Sequence, residues 1–331
     1  MQKHKKLYIL SVLVCMIGLS VLWLSCSQSN AHSQIKQAEA IFFDTTNLSK
    51  TPFGEAVLYG RQLMMNTALY VGPKGTNGNY LGNNMSCTNC HQEGGLKPGS
   101  FSLVKSQEEY PQYRAREAKI LSLPDRVNNC INRPMNGKSL PYDSKEMIAL
   151  LCYLKWISDK WGKDERFNLD NHNSLVLTSK AADPNAGALL YKENCSRCHG
   201  NNGEGVLNNN QNGYVYPPLW GDQSYQAGSS MYRVIKMAGW LKGNMPYDKA
   251  TPGKPFLSDQ QALDIAAFIN DDRVHNRPHS VGTIDYPDKF TKPIDYGIAP
   301  FVDSFTAEQH KFGPYPAIIS YLKNKGLKAS Y

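Results

Sequence analysis

Two pentapeptides, Cys87-Thr88-Asn89-Cys90-His91 and Cys195-Ser196-Arg197-Cys198-His199, limit what this chain can fold into more than any other feature. Cys-x-x-Cys-His is the attachment signature of c-type haem: the thiols form thioethers to the porphyrin, and the histidine becomes the proximal iron ligand. Two copies predict a mainly α protein of two tandem c-type cytochrome domains. Each would covalently bind one haem c, through Cys87 and Cys90 with His91, and through Cys195 and Cys198 with His199.

The N-terminus predicts the compartment. Lys3, Lys5 and Lys6 precede an apolar run from Leu7 to Leu24, and a polar stretch begins after Cys26. Residues 1–26 therefore read as a secretory leader. Cys26 after Ser25 resembles a lipoprotein processing site, although Trp23 stands where leucine is usual. An exported, periplasmic protein tethered by a lipid at Cys26 is expected, with an uncleaved anchor or simple release as alternatives. Formal charge is +8, and +5 once the three leader lysines are set aside. No basic run interleaved with aromatics is present, so nucleic acid is not an expected partner.

Of the eight cysteines, Cys15 and Cys26 belong to the leader and four to the haem motifs, which leaves Cys130 and Cys152. Cys152 lies in the apolar run Ile148 to Leu154, where a lone cysteine is usually a small buried hydrophobe. Cys130 lies in a polar segment, Val127 to Pro134, read as irregular. A disulfide between the two is the oxidising-compartment alternative.

One plan is repeated. Thr51-Pro52 and Asp183-Pro184 are helix starts, cap followed by first-turn proline. Phe53, Val57, Gly60 and Met64 recur at helical spacing after the first. Ser144 caps a helix with Met147, Leu150, Leu151, Leu154 and Ile157 on one face, and Ser258-x-x-Gln261 is a capping box. Gly200, Gly203 and Gly205 allow tight turning after the second haem motif. The expected division is leader 1–26, linker 27–50, a catalytic cytochrome domain 51–175, an electron-transfer cytochrome domain 176–287 and an extended C-terminal segment 288–331. The two domains would join near Asp170 to Lys180.

Met245, followed by Pro246, is the favoured sixth ligand of the second iron, since a thioether raises the potential. Met231 and Met237 are alternatives that read as core residues of a helix from Met231 to Leu241. The first iron has two candidates, Met135 and Cys130. From His199 to Met245 is 46 residues; from His91 it is 44 to Met135 and 39 to Cys130, which favours methionine. Measured back from the following cap, Met245 lies 13 residues before Ser258, Cys130 lies 14 before Ser144 and Met135 only 9, which favours cysteine. Chemistry leans to cysteine. A thiolate depresses the potential and is useful where the sulfur reacts, and Arg114, Arg116, Arg126, Arg133, Lys119 and Lys138 are near in sequence. Cations lower a thiol's pKa and suit oxyanions, although they also serve haem propionates. His172, His275, His279 and His310 read as solvated. A dihaem peroxidase lacks the acid–base constellation it would need.

At these residues the chain resembles the dihaem thiosulfate dehydrogenases. The resemblance is carried by Tyr59-Gly60-Arg61-Gln62-Leu63, Asn66-Thr67-Ala68, Gly72-Pro73-Lys74-Gly75 and Asn84 to His91. Tyr113-Arg114-Ala115-Arg116, Arg126 to Cys130, Met135-Asn136-Gly137, the second haem motif and Asn244-Met245-Pro246 extend it. It implies a catalytic haem ligated by His91 and Cys130, a relay haem ligated by His199 and Met245, and Arg116 and Arg126 as substrate-binding residues. It further implies coupling of two thiosulfates to tetrathionate, or the reverse, with a periplasmic or membrane electron partner (cytochrome c or quinone-linked). Pro134 replaces a frequent serine and Asn244 a lysine of some members. The non-catalytic alternative is a dihaem electron carrier with Met135 on the first iron.

Overall fold

The computed structural model describes residues 48–164, 167, 174–251, 253–279 and 285–331. The leader expected over 1–26, with Cys26, lies outside them, as do residues 27–47 of the linker, part of the Asp170 to Lys180 junction, and His172. The chain divides after Thr51. Of the first part a 3-10 turn, Leu48–Lys50, is described; Pro52–Tyr331 forms the second.

Among the described residues eight helices have six residues or more. They are α1 Pro52–Met65, α2 Leu123–Asn132, α3 Lys145–Trp161, α4 Pro184–Asn194, α5 Val234–Asn244, α6 Asp259–Ile269, α7 Ala307–Phe312 and α8 Tyr315–Asn324. Two antiparallel hairpins complete the regular structure: β1 Gln112–Arg114 with β2 Lys119–Leu121, and β3 Val206–Leu207 with β4 Tyr214–Tyr216. No helix among the described residues is long and apolar enough to cross a membrane.

The expected helix starts are found where local chemistry satisfies the first free N–H groups. Ser144 accepts from the Met147 amide, Asp183 from Asn185, and Ser258 exchanges bonds with Gln261 in a full capping box. α1 packs across α3, and α4 across α6. Each crossing is closed by a glycine. A Cβ on Gly60 would fall inside the carbonyl oxygen of Ala149, and one on Gly187 inside that of Asp264. The repeat seen in the sequence is thus a repeated backbone contact, which only hydrogen side chains permit.

Three sequence expectations are corrected. Cys130 does not lie in an irregular segment but on α2, which opens with a Ser122–Asp125 capping box and Pro124 in its first turn. The helix expected from Met231 is interrupted, with a 3-10 turn Ser230–Tyr232 giving way to α5 at Val234. The C-terminal segment is not extended throughout, because α7 and α8 form within it, and Tyr315, Ile318 and Leu322 of α8 join the core of α5 and α6. Burying that apolar face holds an otherwise short helix.

α5 has no side-chain cap of its own. Asp295, buried in the C-terminal segment, instead accepts from the Ile235 amide at 3.1 Å and from Arg233 Nε at 2.8 Å. A carboxylate at a helix start is favoured by the dipole. The C-terminal segment therefore fixes the helix whose far end presents Met245.

Candidate functional site

Both Cys-x-x-Cys-His motifs fold into one tight turn, with the histidine amide donating to the first cysteine's carbonyl: His91 to Cys87 at 2.9 Å, His199 to Cys195 at 3.0 Å. Each imidazole is then oriented through Nδ1, by the Phe101 carbonyl at 2.6 Å and the Pro217 carbonyl at 2.8 Å. With Nδ1 donating, Nε2 carries the free lone pair, as a metal ligand requires. Burial holds His199 below the ordinary imidazole pKa, which also favours the neutral form.

Beside the first motif lies a cavity of about 300 Å³. Cys87, Cys90 and His91 line it with apolar side chains including Leu63, Leu123 and Leu150; the walls also carry Cys130 and Met135. These donors and the apolar walls fit a haem. At the second motif, Met245 and Cys195 pack against the same core. Met237 is absorbed by that core, its sulfur accepting from Asn270 at 3.3 Å, and Met231 is buried there too.

Cys130 and Arg126 are four residues apart on α2, hence on one face, and Arg126 Nη1 stands 3.2 Å from the sulfur. Burial pushes the Cys130 thiol up, but the charge of Arg126 foremost, with His91 and the Arg114 charge after it, outweighs burial and brings the pKa down to about 6. The downward shift favours the thiolate, the nucleophilic form.

Arg114, Arg116, Arg126 and Arg133 all line the cavity, whereas Lys119 and Lys138 are exposed and do not. Arg114 comes from β1 and Arg116 from the turn after it. Arg116 Nη1 donates to the Gly228 carbonyl and to Asp285 Oδ2 at 2.8 Å. Arg133 pairs with Glu117 at 3.0 Å and with Asp285 Oδ1 at 2.9 Å. Sequence reasoning missed Asp285, Glu117 and Lys236, the last on α5 and also lining the cavity. Pro134 lines it without a hydroxyl, but Ser229 and Ser230 bring two from the second half.

Asn244 is fully buried and ties the halves together. Its Nδ2 donates to the Gly99 carbonyl and to the Trp240 carbonyl, both at 2.9 Å. Gly99 precedes Phe101, which holds His91 and takes a left-handed backbone (φ 48°). Of the other histidines, His310 is buried rather than solvated, bonded to the Ile294 carbonyl and Asp303. His275 stacks on Trp220, its ring centroid 3.9 Å away, and His279 is exposed.

Two family models match: a SoxA/TsdA cytochrome c domain over residues 77–161, and cytochrome c over 184–271. The chain is 33% identical over 232 residues to a thiosulfate dehydrogenase of Thiomonas intermedia, covering 70% of each protein. It is 33% identical over 239 residues to one of Stutzerimonas stutzeri, covering 72% of this chain and 73% of the relative.

The chain belongs to the thiosulfate dehydrogenase family.

Its fold is accordingly two cytochrome c domains in tandem. A solved thiosulfate dehydrogenase (TsdBA) from Marichromatium purpuratum superposes with a TM-score of 0.61 at 29% identity, covering 69% of this chain. This chain spans about half, 48%, of that longer polypeptide. Asp285 lies beyond both matched regions, in a stretch of the chain on which the family models are silent.

Proposed function

We propose that this chain is a dihaem enzyme that couples two thiosulfates to tetrathionate with release of two electrons, and that the same site can run the reverse reduction. Cys87, Cys90, His91 and Cys130 would hold the first haem. Cys195, Cys198, His199 and Met245 would hold the second. Bound haems supply two one-electron acceptors, so that no radical need leave the site.

The chain's own residues do the rest. Joining two dianions is opposed by their repulsion, and fixed guanidinium groups offset it. Arg126 and Arg116 are assigned to the substrate's sulfonate oxygens. The Cys130 thiolate bonds to the terminal sulfur of the first thiosulfate, and two electrons leave. The terminal sulfur of the second thiosulfate then attacks that sulfur. The bond to Cys130 breaks, tetrathionate departs, and the thiolate returns with its charge. Run backwards, the same steps take up two electrons.

One observation carries this reading: a cysteine sulfur 3.2 Å from a guanidinium in an arginine-lined cavity, which the histidine of a haem motif also lines. Met135 lines the same cavity and keeps a second reading alive, a non-catalytic dihaem carrier. Two assays on purified holoprotein separate them, thiosulfate with ferricyanide and tetrathionate with reduced viologen. The enzyme turns over in at least the first, and exchange of Cys130 for glycine abolishes turnover while both haems stay attached. A carrier turns over in neither.

Export under the leader 1–26, with periplasmic location, lipidation at Cys26 and a cytochrome c or quinone-linked electron partner, belongs to the same proposal. So does the division into domains 51–175 and 176–287. Mass spectrometry of the mature N-terminus tests the lipid directly.

A further inference from the structure

We propose that Asp285 is a positioning residue of the thiosulfate site, one carboxylate holding Arg116 and Arg133 together on the cavity wall. The inference rests on the thiosulfate reading above. Asp285 is 4% exposed at its side chain, with Oδ2 2.8 Å from Arg116 Nη1 and Oδ1 2.9 Å from Arg133 Nη2. Tyr296 donates to Oδ2 at 3.3 Å. The neighbouring Tyr286 donates its amide to the Arg116 carbonyl at 2.8 Å and lies under the Arg116 guanidinium, 5.1 Å from its ring centroid. The short piece Asp285-Tyr286, just before the C-terminal segment, thus grips Arg116 by main chain, charge and ring.

The charges decide what this grip is for. Arg116 and Arg133 meet Asp285 and Glu117, so these four groups sum to zero. The other cations on the cavity lining are Arg126, Arg114 and Lys236, beside the carboxylates of Glu109 and Glu146. What Arg116 can offer a substrate is direction: Nη1 is engaged by the Gly228 carbonyl and Asp285, which leaves Nη2 and Nε as donors at a fixed angle. A guanidinium already held in place loses less freedom when an anion binds.

Neutralising the carboxylate separates positioning from charge offset, because the two effects have opposite sign. If Asp285 merely cancelled charge, Asp285→Asn would make the cavity more positive and bind thiosulfate more tightly. If it positions, binding weakens. Calorimetric titration of the oxidised holoprotein with thiosulfate, beside steady-state kinetics with ferricyanide, reads both. We expect Asp285→Asn to raise Kd and KM together by about tenfold, the scale of one charge-assisted hydrogen bond. kcat should stay within about twofold, both haem spectra should be unchanged, and Asp285→Glu should recover part of the loss. Asp159→Asn, in an exposed ion pair with Lys155, serves as control. Unchanged or tighter binding in Asp285→Asn, with an active wild type, overturns the positioning role alone. A wild type that neither binds nor oxidises thiosulfate overturns the parent reading and this one with it.

Discussion

Arg126 Nη1 stands 3.2 Å from the Cys130 sulfur, one helical turn away on α2. That contact, with the cavity around it, is what distinguishes this cysteine from a buried spectator. Cys152, half-buried on α3, is not among the residues that line it.

The contact has a pH signature. Burial alone would raise the Cys130 thiol, and Arg126 is the foremost of the groups that bring it to about 6. Replacing Arg126 by glutamine lets the pKa rise, so the thiolate is lost at higher pH. We expect kcat/KM for thiosulfate to fall about tenfold or more at neutral pH, with the acid limb of its pH profile moved upward. Arg126→Lys should keep part of both. The profile between pH 5 and 8 is the measurement; acid limbs that fall at the same pH in wild type and Arg126→Gln would remove the electrostatic role.

The repeated glycine crossings set a stability prediction. A methyl at Gly60 or Gly187 would overlap a helix backbone carbonyl, which cannot retreat as a side-chain tip could. Gly60→Ala and Gly187→Ala should each cost about 1–3 kcal/mol or more. Gly253→Ala, whose Cβ would meet nothing within 4 Å, should be close to neutral. Urea unfolding followed by circular dichroism compares the three.

How much of this could be read beforehand depends on sequence distance. The helix starts at Ser144, Asp183 and Ser258 were legible because each cap acts within three residues of itself. The haem motifs were legible because their ligands are contiguous. α2 was not, because its apolar residues number only Leu123, Val127 and Ile131 and its capping box uses Asp125 in place of the usual glutamate or glutamine. α8 hid behind Pro314 and Pro316, although Tyr315, Ile318 and Leu322 do share a face. Asp285 had no local signal at all: it meets Arg116 across 169 positions and Arg133 across 152.

A second pH effect lies away from the cavity. Lys311 on α7 is buried with its Nζ 3.0 Å from the Tyr232 ring centroid and 3.7 Å from Asp272, near the buried Arg277. Burial, with the Arg277 charge, brings its pKa down to about 7 despite Asp272. The unfolded chain, with an ordinary lysine near 10.5, binds the proton more tightly. Stability from this residue therefore rises as pH climbs from about 7 to 10.5, and the full penalty is present below 7. Lys311→Met should stabilise the protein most at pH 6, by on the order of a few kcal/mol, with the gain shrinking toward pH 10. Thermal unfolding of both proteins across that range checks it. A gain independent of pH would mean the lysine is not buried as a charge.

The most direct test of the central claim is low-temperature electron paramagnetic resonance of the oxidised holoprotein. A sulfur from Cys130 on the first iron gives a low-spin ferric signal of narrow g-spread, beside the wider signal of a His/Met haem, and Cys130→Met loses the narrow one. Two wide signals in the wild type, unchanged by that substitution, would place methionine on both irons and leave Cys130 without its proposed part in the chemistry.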